Sequence, residues 1–226
     1  MTRHTFTDWR PRQRPSRAAL EGRYCRLERL DPVRHGDQLY EASMAPGADE
    51  RFRYVSDIPQ DRGGFAAWLA AAAASQDPLF YAVLDRSSGR CEGRQSLKHI
   101  TPEHGVIEVG NVLWGPAIAR TRVTTEALFL FVQYAFDELG YRRVEWMCNV
   151  RNERSMRAAR CFGFTYEGTF RQHRVAKGHN RDTAWWAIID RDWPPIRNAF
   201  EQWLQPDNFD ARGQQKLRLE GYRSRR

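Results

Sequence analysis

The sequence has no long apolar run and no secretory signal. Its most apolar stretch, residues 65–74, is rich in alanine and well short of the roughly 20 residues that span a bilayer. The first 20 residues are polar and rich in arginine, unlike the apolar core of a signal peptide. We therefore expect a cytoplasmic protein with no membrane span.

Closely spaced cysteines are also missing. The four cysteines lie far apart, at Cys25, Cys91, Cys148 and Cys161. This scatter favours reduced thiols over a disulfide framework. Because no cysteine and histidine residues have the spacing of a metal site, we predict no bound metal.

Lysine is scarce, and the basic charge comes from arginine. Of the 36 basic residues, only three are lysines: Lys98, Lys177 and Lys216. Of the net charge of +8, residues 1–23 carry +4 and residues 211–226 carry +5, so residues 24–210 are nearly neutral. Basic ends can follow a phosphate backbone such as that of tRNA, or can simply aid solubility. The sequence leaves both interpretations open.

The periodicity of the apolar residues predicts a single domain of the α/β class, or α+β by some schemes. The domain spans residues 21–206, between a basic N-terminal arm (residues 1–20) and a basic C-terminal tail (residues 207–226). Strands are predicted at residues 24–30, 79–84, 91–100, 106–114, 143–150, 164–175 and 183–189. Helices are predicted to begin at Asp31-Pro32, Asp61, Thr121, Asn152 and Trp193.

The order of these elements, together with residues at their joints, resembles the GNAT superfamily of N-acetyltransferases. The joints are Pro116, Thr125-Glu126-Ala127, Asn152 with Ser155, Gly163-Phe164, and Arg181-Asp182. The resemblance covers residues 22–200, and the most similar branch includes the ribosomal-protein N-acetyltransferases. It implies a mixed, mostly antiparallel sheet with splayed middle strands and flanking helices. It also implies an acyltransferase that uses acetyl-CoA or another acyl-CoA.

The resemblance assigns the coenzyme to the strand that ends at Trp114 and to the helix that follows it. The acyl-pantetheine arm would add to the strand edge, and the pyrophosphate would lie at the helix N-terminus. Where the family has Gln or Arg, then Gly, then Gly or Ala, this chain has Ala119, Arg122 and Thr124. Arg122 must therefore grip a phosphate or occupy its place. The expected coenzyme contacts are Leu113, Trp114, Arg120, Thr121, Arg122, Val123, Thr124 and Asn152.

Glu108 and Ser155 are the expected catalytic residues. Glu108 stands where family members often hold a general base, although a strand glutamate can also serve only as an ion-pair partner of an arginine. The tyrosine that protonates the leaving thiolate in many members is replaced by Ala159, which leaves Ser155 as a possible donor. Ser155 and Asn152 can equally act as helix caps.

The acceptor is expected to be a primary amine on a small molecule or a peptide, and a homodimer is possible. One alternative keeps the fold and takes the acyl group from aminoacyl-tRNA in a natural-product or peptide-modifying pathway. The altered phosphate loop and the arginine-rich ends would suit that donor. A second alternative is a GNAT-fold binding protein without catalysis.

Overall fold

The computed structural model describes residues 7–55 and 61–223. Within them, one sheet is formed by the strands Ala19–Glu21 (β1), Cys25–Arg29 (β2), Leu79–Asp85 (β3), Cys91–Thr101 (β4), Val106–Trp114 (β5), Arg143–Asn149 (β6), Thr165–Ala176 (β7) and His179–Ile189 (β8). The α-helices are Pro32–Met44 (α1), Ala48–Phe52 (α2), Arg62–Ala74 (α3), Arg122–Gln133 (α4), Glu153–Cys161 (α5), Trp193–Trp203 (α6) and Leu219–Arg223 (α7). A π-helical turn, Tyr134–Glu138, extends α4.

The strand order is β1-β2-β3-β4-β5-β6-β8-β7, and only the central pair, β5 with β6, is parallel. That parallel pairing covers three residue pairs and ends at Glu108 opposite Glu145. Beyond this point β5 stays paired with β4 as far as Trp114, whereas β6 stays paired with β8 along its whole length. The two strands therefore splay apart beyond Glu108, as the resemblance predicted.

The two faces of the sheet pack against different helices. Ile107 and Val109 point into the larger core, which α4 and α6 share. On the opposite face, α1 and α3 pack over β3, β4 and β5 around a smaller core that contains Phe65 and Phe80. Because strand side chains alternate between faces, Glu108 belongs to this second face.

Capping residues explain where the predicted helices begin. Asp31 accepts backbone N–H bonds from the first turn of α1, Asp61 does so for α3, and Thr121 does so for α4. The predicted strands and the longer helices are confirmed to within a few residues. The sequence reading missed the short elements β1, α2 and α7.

The segments that flank the predicted domain are packed against it. In the N-terminal segment, Trp9 donates to the carbonyl of Glu103, and the N–H groups of Ser16 and Arg17 donate to the Tyr134 hydroxyl. In the C-terminal segment, Leu219 is buried against the larger core. The boundaries at residues 20 and 207 remain predictions, but neither described segment extends freely from the fold. None of the described helices has both the length and the apolarity that crossing a membrane requires.

Candidate active site

A β-bulge shapes the free edge of β5. Asn111 and Val112 together oppose the single residue Gln95 on β4, and Asn111 takes the left-handed φ of +51°. The fully buried Arg94 donates from Nη1 to the Asn111 carbonyl at 3.2 Å while its guanidinium lies 4.3 Å over the Trp68 ring. Arg94 thus holds the bulge in place from the face on which α3 packs. Beyond Glu108, no strand among the described residues pairs with the edge of β5 that faces β6.

Glu108 lies at the apex of the splay with two basic partners. Its side chain is 1% exposed, Oε1 is 3.0 Å from Lys98 Nζ, and Oε2 is 2.6 Å from His99 Nδ1. Lys98 reaches the carboxylate by crossing Gly110, where a Cβ would overlap its side chain. Glu108 does take part in ion pairs, which is the alternative role considered for it. The partners seen here are Lys98 and His99.

His99 connects this buried carboxylate to the surface, since its side chain is 47% exposed. The residue has a φ of +46°, and its backbone N–H donates to Asp77 at 2.9 Å. The other oxygen of Asp77 accepts from the N–H of Ile100, also at 2.9 Å. Asp77 therefore fixes the backbone that presents the imidazole to Glu108.

The loop before α4 brings together the residues expected to contact the coenzyme phosphates. Thr121 caps the helix, accepting from the N–H of Val123 at 3.2 Å, and Thr124 bonds back to the Thr121 carbonyl at 3.0 Å. Arg120 has a φ of +62° and is exposed. Leu113 is buried, and Trp114 at the end of β5 packs edge-on against Phe162.

Arg122 makes cation–π contacts with two aromatic rings. Its guanidinium lies 4.4 Å over the ring of Tyr24 and 5.3 Å over that of Phe209. Tyr24 is positioned in turn because the Glu126 carboxylate accepts from the N–H groups of Arg23, Tyr24 and Cys25 at 2.6–2.8 Å. These contacts hold the guanidinium beside the two rings, and its N–H groups can still donate to an anion.

A cavity of about 510 Å³ lies at this helix N-terminus. Four arginines line it, Arg23, Arg86, Arg122 and Arg212, together with the backbone and side chains around Thr121. These arginines come from the β1–β2 turn, the β3–β4 turn, α4 and the C-terminal segment. Such a concentration of guanidinium groups suits a polyanion such as the phosphates of coenzyme A.

Ser155 and Asn152 lie at the start of α5, on the opposite face of the sheet from Glu108. Asn152 Oδ1 accepts from the Ser155 N–H at 3.1 Å, which is the capping role considered for it. The Ser155 hydroxyl accepts from the indole N–H of Trp146 at 2.9 Å. Because the hydroxyl oxygen accepts this bond, its proton is free to be donated to another group. Burial raises the pKa of Cys148 overall, and a hydrogen bond from Ser155 acts to lower it.

The β6–β8–β7 half of the sheet presents an aromatic floor on the same face as Glu108. Trp185 is 4.8 Å from Phe170 and 6.1 Å from His173, measured between ring centroids. Phe170 is 53% exposed, so the floor is open to solvent. Lys177, at the β7–β8 turn, donates to the carbonyl of Phe52 at 2.8 Å and so links this floor to α2.

Several residues of the site escaped the sequence reading. Lys98 is the register partner of Glu108 and so shares its face, but His99 reaches the carboxylate only because the register shifts between Lys98 and Thr101, which the sequence does not reveal. Phe209 and Arg212 lie in the segment predicted to be a tail. Their sequence carries no periodic signal, and their role depends on a tertiary fold.

Comparison with known proteins connects this geometry to one family. A family model described as an acetyltransferase (GNAT) domain matches residues 29–165. A crystal structure of a GCN5-related N-acetyltransferase from Brucella melitensis is 51% identical, with 96% of this chain and 99% of that chain covered and a TM-score of 0.95. A probable GNAT-family acetyltransferase from Chromobacterium violaceum is 38% identical, with 85% and 96% covered and a TM-score of 0.78.

More distant structures share the fold. RimL, a ribosomal L7/L12 alpha-N-protein acetyltransferase, is 17% identical, with 76% of this chain and 93% of that chain covered and a TM-score of 0.67. No curated protein sequence matches the chain.

Proposed function

Because the chain belongs to the GNAT family of acetyltransferases, we propose that it transfers an acetyl group from acetyl-CoA to a primary amine. The observation that carries the proposal is the divergence of β5 and β6 beyond Glu108, which leaves one strand edge free beside a buried carboxylate. An extended pantetheine arm can bond to such an edge as an added strand would.

The residues at the mouth of this gap fit coenzyme A. The four arginines of the cavity supply forked donors for its phosphates, and the N-terminus of α4 adds a favourable dipole. When bound, acetyl-CoA would supply an activated acyl carbonyl. The β5 backbone near Leu113 and Trp114 would hold and polarise that carbonyl through its N–H groups.

The departure from the family's phosphate loop is consistent with binding. Arg122 replaces the usual glycine, but its guanidinium lies over the rings of Tyr24 and Phe209 and forms part of the cavity wall. We therefore infer that Arg122 grips a phosphate. Arg212 does the same from the C-terminal segment, so that charged side chains take over contacts that a glycine-rich backbone makes elsewhere.

Glu108 is the proposed general base. Its carboxylate accepts a proton from the incoming amine, directly or through a water molecule. Lys98 balances its charge at Oε1, and the half-exposed imidazole of His99 at Oε2 links the carboxylate to solvent. Ser155 lies on the opposite face of the sheet from Glu108, the face on which α4 packs. We therefore assign Ser155 to the coenzyme and not to the acceptor amine.

The proposal is tested by incubating the purified chain with radiolabelled acetyl-CoA and a panel of amines, with and without RNase. We expect RNase-insensitive acetylation, and calorimetry should show saturable binding of coenzyme A. In a parallel reaction with radiolabelled aminoacyl-tRNA as donor, RNase-sensitive transfer of the aminoacyl group, with no transfer from acetyl-CoA, would point to the aminoacyl-tRNA alternative. Failure to bind coenzyme A at all would overturn the acetyl-CoA proposal.

A further inference from the structure

Two arginines face each other on neighbouring strands of the aromatic floor. Arg174 of β7 is directly paired in register with Arg181 of β8. Like charges directly opposite each other in a sheet repel and are destabilising unless an anion lies between them. Arg174 is exposed and Arg181 is half-buried, so an anion from solvent could reach the space between them.

No carboxylate of residues 7–55 and 61–223 lies within ion-pair distance of either guanidinium. The nearest acid in sequence, Asp182, is occupied by the N–H of Gln172 at 2.7 Å and the side-chain amide of Asn180 at 2.9 Å. The Nε of Arg181 is buried without a hydrogen-bond partner among the described atoms. A buried donor left unpaired is unfavourable, and a bound anion would satisfy it.

Arg181 lies on the same face of the sheet as Glu108. Side chains alternate along β8, so Arg181, Thr183 and Trp185 share the face that carries Glu108. Burial and the adjacent Arg174 lower the pKa of Arg181, while the Glu108 carboxylate acts in the opposite direction. Arg181 and Glu108 are thus on one face of the sheet, and the charge of Glu108 contributes to the electrostatic environment of the guanidinium.

We propose that Arg174 and Arg181 bind a carboxylate of the acceptor, so that the substrate is an amine that carries an acidic group. This inference rests on the proposed function. The amine faces Glu108, the carboxylate lies between the two arginines, and an apolar or aromatic part of the acceptor covers Trp185 and Phe170. Guanidinium groups bind carboxylates in a forked geometry, which would fix the direction of the amine.

The test compares acceptors that differ in one carboxylate, with each rate referred to the concentration of the unprotonated amine, because an α-carboxylate also raises the pKa of its neighbouring amine. The first pair is phenylalanine against phenylalaninamide, and the second is a short peptide amide with glutamate against glutamine after its first residue. We expect the charged member of at least one pair to have a kcat/KM about 10- to 100-fold higher. Preference for phenylalanine identifies a free amino acid, and preference for the glutamate peptide identifies an acidic peptide.

Variants then assign the preference to the arginines. Arg181→Gln should remove the preference, Arg181→Lys should keep part of it, and Arg157→Gln on the exposed face of α5 should leave it intact. Calorimetry with N-acetylphenylalanine and its amide gives the same comparison without turnover. Coenzyme A binding is measured on each variant, so that loss of the proposed function is distinguished from loss of this site. Equal use of charged and neutral acceptors by a chain that binds coenzyme A would overturn the inference.

Discussion

The two halves of the sheet lie on either side of the gap between β5 and β6. They differ in how their charged side chains are paired and in how far they are covered by helices. In the β1–β5 half, helices pack on both faces and the buried acids have basic or N–H partners: Glu28 contacts Arg26 and Arg34, and Glu126 accepts three backbone N–H bonds. In the β6–β8–β7 half, Phe170 is exposed and Arg181 has a donor without a partner. We infer that the first half holds the fold and the coenzyme, and that the second half selects the acceptor.

The largest effect should come from the residue at the boundary between the halves. Glu108→Gln removes the proposed base while keeping the side-chain volume, and we expect kcat to fall by roughly 10²–10⁴ with coenzyme A affinity unchanged. Glu145→Gln is the matched control, because Glu145 is the register partner of Glu108 but is paired with Arg143. An unchanged rate at saturating substrate in Glu108→Gln would remove this residue from the mechanism.

A smaller effect is expected from the phosphate cavity of the first half. Arg122→Ala deletes one charged contact with the coenzyme and the cation–π contacts with Tyr24 and Phe209. The KM for acetyl-CoA should therefore rise about 10-fold or more. The KM for the acceptor should not change, which separates the two halves. Arg157→Ala provides the control, since Arg157 lies on the surface of α5 and pairs with Glu153. If coenzyme affinity survived the loss of Arg122, the cavity would have to be reassigned.

A pH effect on stability is expected from His35 in the first half. Burial lowers the pKa of His35, against the opposing influence of Glu28, so the folded state favours the neutral imidazole. Below the ordinary pKa of about 6.5 the unfolded chain binds more protons, and the free energy of unfolding should fall as the pH drops from 7 to 5. Urea denaturation should show a shallower fall in His35→Gln than in the wild type. Identical slopes would show that His35 is not responsible.

The smallest expected effect is in thiol chemistry. Burial raises the pKa of Cys91 and of Cys161 to about 12, and it raises the pKa of Cys25 and Cys148 as well. Because the thiolate is the reactive form, iodoacetamide at pH 8 should alkylate the folded chain slowly and the urea-unfolded chain at all four cysteines. Rapid labelling of Cys148 in the folded state would show instead that the gap beside β6 opens to solvent.

The sequence reading succeeded where local patterns decide the structure. Asp31, Asp61 and Thr121 are capping residues whose effect is confined to one turn, and the apolar residues on both faces of β5 correctly predicted a central strand, on which the family resemblance singled out Glu108. It failed where function depends on distant contacts. The stacking of Arg122 on Phe209 joins residues 87 positions apart, and no local propensity describes that contact. The like-charged pair Arg174 and Arg181 becomes visible only once the irregular register of β7 against β8 is known.

A crystal structure with coenzyme A bound would test the division of the sheet most directly. The account predicts the pantetheine arm along the free edge of β5 between Val109 and Trp114, and the phosphates among Arg23, Arg86, Arg122 and Arg212. Coenzyme A lying across Trp185 and Phe170, or β5 and β6 closed against each other along their length, would contradict it.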